Sequence, residues 1–193
     1  MAISLKKGER IDLRKGLNKI KVILGWKENQ TDTGGDFDLD ASVFLLDGKG
    51  KCPTEEHFIF YKNLKSPCGA VVHKGDDKTG GTGEEIDIDL EKLPENIEKI
   101  VFVVTIYDAK RRKQNFGMVD DAYIKLINAE NNEEIARYDL AEDFSSETGV
   151  NFGEIYKHKG QWKFKAVGQG YNSGLAGFLK QYGLEVDEES EDL

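Results

Sequence analysis

The run Ile100-Val101-Phe102-Val103-Val104-Thr105-Ile106 is the strongest constraint on the fold of this chain, because it is apolar on both faces. A strand with that pattern belongs at the centre of a sheet, and the segment 97–107 is assigned there. Most other apolar periodicity has a period of two, as at Ile20, Val22, Leu24 and Trp26, which describes half-buried strands. Further strands are expected at 38–46, 57–61, 70–73 and 86–90. The segments 122–128 and 134–140 should pair around Glu130-Asn131-Asn132, and 153–158 and 161–167 around Lys159-Gly160. One short helix is expected at 175–182, with Asn172 or Ser173 as N-cap and Gly183 as stop. It could cover one end of a sheet. The fold class is therefore mainly β: an antiparallel two-sheet β-sandwich with one or two short helices. Residues 1–184 form one domain. Residues 185–193 hold six acids and are expected to be a disordered tail.

A net charge of −9 over 193 residues disfavours direct binding to nucleic acid or anionic membranes, although a bridging cation could reverse this locally. Cys52 and Cys68 match no zinc spacing, and His57, His73 and His158 are scattered, so the cysteines read as free thiols. The first residues lack a signal-peptide core, and no segment is apolar enough to span a bilayer. A cytoplasmic location is expected.

Chemistry concentrates in the acidic segments. Asp36, Asp38 and Asp40 are two residues apart and lead into a strand, so they share one face at intervals of about 7 Å. Leu39, Ala41, Val43 and Leu45 fill the opposite, core-directed face. Carboxylates so spaced repel one another, and a hard cation with oxygen ligands, calcium or magnesium, relieves that. The helix-loop-helix calcium motif is excluded. Counting from Asp36, Ala41 stands where that loop needs Gly and Asp47 where it needs Glu. A metal-free, solvated acidic strand start is the alternative. A second segment, from Gly75-Asp76-Asp77 through Gly80-Gly81-Thr82-Gly83 to Glu84-Glu85, precedes the strand at 86–90. Its glycines permit turns that aim carbonyl oxygens inward. Alone it reads as a polar hairpin loop, and it is the pairing of two acidic, Gly-rich loops beside strands in one small domain that points to a metal.

Gly25-Trp26, Asp38-Leu39-Asp40-Ala41-Ser42, Gly75-Asp76-Asp77 and Gln114-Asn115-Phe116-Gly117 occur in that order. Glu134-Ile135-Ala136-Arg137-Tyr138-Asp139-Leu140 and Glu147-Thr148 follow, then Gly153-Glu154-Ile155-Tyr156 and the run from Trp162 to Tyr171. Together, and ending at Gly174-Leu175, they resemble the TerD family of bacterial tellurium-resistance and chemical-stress proteins. The resemblance covers almost the whole chain. It implies a two-sheet sandwich binding one or two calcium ions, in a system conferring tolerance to tellurite and related insults. The family's metal motifs fall on Asp38 and Asp40, and on Asp76, Asp77, Glu84 and Glu85. Lys27 after Trp26, and the second loop's Gly80-Gly81-Thr82-Gly83, replace carboxylates common in relatives and bear on the number and affinity of the ions. The partners expected are other proteins of the same stress system, membrane-associated ones included.

No nucleophile constellation, phosphate loop or dinucleotide fingerprint is present. His73 is expected at the surface. The chain is read as non-enzymatic, with a metal-dependent hydrolase at the acidic loops as the alternative. Lys110-Arg111-Arg112-Lys113 reads as a solvated turn or as a grip for an anionic partner. Phe116, Phe152, Tyr156 and Trp162 are assigned to core and hairpin packing.

Overall fold

The computed structural model describes residues 1–28, 37–75 and 83–186. Two sheets, each with six strands among the described residues, face one another. In the first, β1 (Ile3–Leu5) borders β10 (Glu134–Asp139), followed by β9 (Val119–Asn128), β3 (Lys19–Glu28), β7 (Glu84–Asp89) and β6 (Val71–His73). In the second, β2 (Arg10–Asp12) borders β12 (Gln161–Tyr171), followed by β11 (Gly149–His158), β8 (Ile97–Ile106), β4 (Leu39–Asp47) and β5 (Phe58–Ile59). All pairings are antiparallel except that of β1 with β10. Among the described residues, two short α-helices complete the fold: α1 (Ala109–Arg112) and α2 (Gly174–Gln181).

Alternation builds the core. Val22, Leu24, Ile86, Ile88, Ile124 and Leu126 of the first sheet face Ala41, Val43, Leu45, Ile100, Phe102 and Val104 of the second. The central position of β8, between β11 and β4, accounts for one of its two apolar faces. The other packs outward. Val101 and Val103 join Phe44 and Leu46 of β4 beneath Leu175, Phe178, Leu179 and Tyr182 of the α2 segment. The helix thus covers a face of the second sheet rather than the end expected from sequence. Tyr171 and Phe178 meet edge to face at 4.7 Å between ring centroids, a favoured aromatic geometry. Phe116 and Phe152 lie in the core, while Trp162 packs against it half-buried.

The strand pairs at 122–140 and 153–167 form as expected, though β11 and β12 run several residues further toward Gly149 and Tyr171. Glycine is a poor strand former, which hides Gly149, Gly168 and Gly170 from a pattern search. A bulge between Asn151 and Gly153 also shifts the period.

Candidate metal-binding end of the sandwich

One end of the sandwich gathers the start of β4, the end of β6, the start of β7 and the end of β8. Leu39 opens β4 opposite Ile106, the last residue of β8. The Tyr107 N–H then donates to the Asp38 carbonyl at 2.8 Å, extending the ladder by one step. Leu39 and Ala41 are buried. Asp38 and Asp40 alternate with them and point away from the core on one face, Asp38 exposed and Asp40 half-buried.

β5 is only two residues long and pairs with β4 at Val43 and Phe44. The backbone of Ala41 therefore lies beyond its reach, and buried N–H and C=O groups need partners. The facing sheet supplies them. Glu84 Oε2 accepts from the Ala41 N–H at 2.8 Å, and His73 Nε2 lies 3.0 Å from the Ala41 carbonyl oxygen. His73 Nε2 is also 3.0 Å from Glu84 Oε2. The Gly75 N–H donates to His73 Nδ1 at 2.9 Å. Only an unprotonated Nδ1 can accept that bond, so the ring is neutral with its proton on Nε2, shared between Glu84 and Ala41. The result is a buried clamp that ties β6 and β7 of one sheet to β4 of the other. It stands where the first acidic segment enters β4 and where the second leaves β6 and enters β7.

His73 was expected at the surface; at 2 % exposure it is buried. Its signal was present in the sequence. It has the parity of the buried Val71 within β6, whose burial alternates.

Glu84 and Glu85, adjacent in sequence, diverge to opposite faces of β7, as successive strand residues must. Glu84 enters the clamp. Glu85 turns outward and pairs with Lys21 at 3.1 Å. Asp36, Asp76 and Asp77 lie outside the described residues. Among the described residues, no group of three or more His, Cys, Asp or Glu side chains gathers in metal-holding geometry. The donors at this end are carboxylate and carbonyl oxygens, and the histidine has both ring nitrogens engaged. That chemistry fits a hard cation rather than zinc or copper.

The chain re-enters the sheet at Gly83, pressed against β3. A Cβ there would lie 2.0 Å from the Leu24 carbonyl oxygen, and φ is +86°. Gly25 is covered in turn by Tyr123, whose ring would stand 2.2 Å from a Cβ at that position. The guanidinium of Arg137 caps the same ring at 4.0 Å.

The basic cluster is largely solvent-exposed, with Lys110, Arg111 and Lys113 on the surface. It forms α1, where Arg111 pairs with Asp108 and Arg112 lies 5.3 Å over the Tyr107 ring. It follows β8 directly, so cationic and acidic segments share this end of the molecule. The cysteines are free thiols. Burial pushes the Cys52 thiol up to about 12, with the nearby Asp47 charge adding to the shift. No described helix is long and apolar enough to cross a membrane.

The TerD domain model matches residues 1–182. The chain is 53 % identical over 192 residues to general stress protein 16U of Bacillus subtilis (strain 168), covering 96 % of this chain and all of that one. It is 50 % identical over 192 residues to tellurium resistance protein TerD of Serratia marcescens, with coverage of 96 % and 100 %. Among solved structures, a homologue of telluride resistance protein (TerD) from Streptomyces coelicolor A3(2) superposes with a TM-score of 0.65. It is 19 % identical and covers 84 % of this chain and 95 % of that one, a likeness of fold.

Proposed function

The chain belongs to the TerD family, and on that premise we propose that it is a calcium-binding stress-response protein acting in tolerance to tellurite and other chemical insults. Its role is that of a metal-organised interaction module, and its partners are other proteins of the same cytoplasmic resistance system. The relatives' names, tellurium resistance and general stress, support the biological setting. The observation that supports the molecular reading is the clamp of Ala41, His73 and Glu84, which ties the start of β4, beside Asp38 and Asp40, to the end of β6 and the start of β7. Asp36, Asp38 and Asp40 of the first segment and Asp76 and Asp77 of the second would hold the ion. Glu84 ties the second segment to β4, with Glu85 beside it. Calcium would supply charge neutralisation and fix the two loops as one surface.

Catalysis finds little support at this end. His73 has both nitrogens committed to hydrogen bonds, so it offers no general base. Metal-loaded protein is expected to leave a panel of phosphate esters and nucleotides unhydrolysed. Metal-dependent turnover that disappears in Asp38→Ala would replace the binding module with a hydrolase.

Thiol chemistry at the buried Cys52 is an equally poor vehicle for tellurite tolerance. A thiol with its pKa near 12 is almost wholly protonated at neutral pH, and the thiolate is the reactive form. Cells carrying the Cys52→Ser, Cys68→Ser double variant should tolerate tellurite as well as wild type. Loss of tolerance with the folded variant still present in the cell would instead assign the protection to the cysteines.

A further inference from the structure

We propose that the cavity between α1 and the start of α2 binds a small organic phosphate, a phosphomonoester with a compact apolar body. The cavity has a volume of about 690 Å³, within the range of small-molecule sites. Lys110, Arg111 and Lys180 line it, against a single carboxylate, Asp108. Asp108 is paired with Arg111. Among the described residues, Lys110 and Lys180 have no ion-pair partner. Three cations against one carboxylate leave an excess of two positive charges, in a chain whose net charge is −9. A phosphomonoester carries nearly two negative charges at neutral pH, so its charge matches that excess.

The neutral groups suit the same ligand. Thr148 and Ser173 place hydroxyl groups in the lining. The Ser173 side chain makes no capping hydrogen bond to α2, although it stands at the N-cap. The first N–H groups of that helix lack intrahelical acceptors and favour an anion. Tyr107 and Ala176, both half-buried, provide apolar wall for the organic part. The walls are also anchored. α2 is docked through Phe178 and Leu179, both buried, and α1 continues from the central strand β8. The site therefore exists before the ligand arrives.

The lining includes none of the acidic residues assigned to calcium, and the test is arranged to separate the two sites. Phenyl phosphate is titrated into the full chain in buffer stripped of divalent ions, by calorimetry and by backbone amide NMR. Saturable binding with Kd below about 1 mM is expected, with the largest shifts at Lys110 and at Gly174 to Gly177. Inorganic phosphate should bind more weakly, because it leaves the apolar wall unused. The double variant Lys110→Ala, Lys180→Ala changes two exposed side chains. It should weaken phenyl phosphate at least about tenfold while leaving the melting temperature unchanged. Absence of saturable binding up to about 10 mM, binding that requires added calcium, or undiminished affinity in the double variant would each overturn the assignment.

Discussion

Replacing Glu84 with alanine is expected to cost about 3 kcal/mol of folding stability, since a buried hydrogen-bonding group left unsatisfied costs about 1–3 kcal/mol and the void left by the side chain adds to that. The substitution strands the Ala41 N–H outright and leaves the Nε2–H of His73 with the Ala41 carbonyl alone. Both lie in a dry interior, with Ala41 and His73 at 1 % and 2 % exposure. Glu84→Gln can keep an oxygen at the Oε2 position, where both bonds are accepted, but gives up the carboxylate charge that strengthens them. It should lose about half as much. Chemical denaturation of both variants, without added metal, checks the order. A loss below about 1 kcal/mol for Glu84→Ala would mean that β4 and β7 are not joined through this carboxylate. Glu84 would then stand simply as an acidic loop residue.

Gly83→Ala should destabilise by about 3 kcal/mol, combining a left-handed backbone unfavourable to alanine with a clash against backbone. The clashing atoms are the Leu24 carbonyl oxygen at 2.0 Å and the Gly25 Cα at 2.6 Å, so no side chain can rotate away. β7 must move off β3, or the turn entering it must rebuild. The same displacement should pull Glu84 out of the clamp. A native-like melting temperature in Gly83→Ala would show that the second loop does not enter the sheet by this close approach.

Strand content was legible because the chain alternates so strictly, and β8 declared its central place by being apolar on both faces. What covers its outer face was not legible. A helix at 175–182 shows only that an apolar stripe exists, and the stripe's docking onto Phe44, Val101 and Val103 is a tertiary fact. β1 and β2, each three residues long, escaped for a similar reason. Ile3 to Leu5 becomes a strand only by pairing in parallel with Ala136 to Tyr138, more than 130 positions away. No local pattern encodes that.

At the candidate site, the spacing of Asp38 and Asp40 correctly placed them on one face, alternating with buried Leu39 and Ala41. Glu84 and Glu85 read as one acidic pair, yet strand geometry divides them between the interior and Lys21. The clamp needed knowledge of β5's length. Only a two-residue edge strand leaves the Ala41 backbone open to a carboxylate and a histidine of the other sheet.

Calcium organising the two acidic segments is tested most directly by thermal unfolding in a calcium titration. Wild-type protein should be stabilised with an apparent Kd on the order of 10⁻⁶–10⁻⁵ M, as in sensor sites. At a hundredfold excess over Kd, each site adds about 2.7 kcal/mol. Magnesium should add less, because it demands a tighter octahedron and gives up water reluctantly. Asp38→Asn and Asp40→Asn should each abolish most of the calcium response while leaving the metal-free protein as stable as wild type, or slightly more so. No response to calcium, together with a destabilised metal-free Asp38→Asn or Asp40→Asn protein, would contradict this reading and make the aspartates structural.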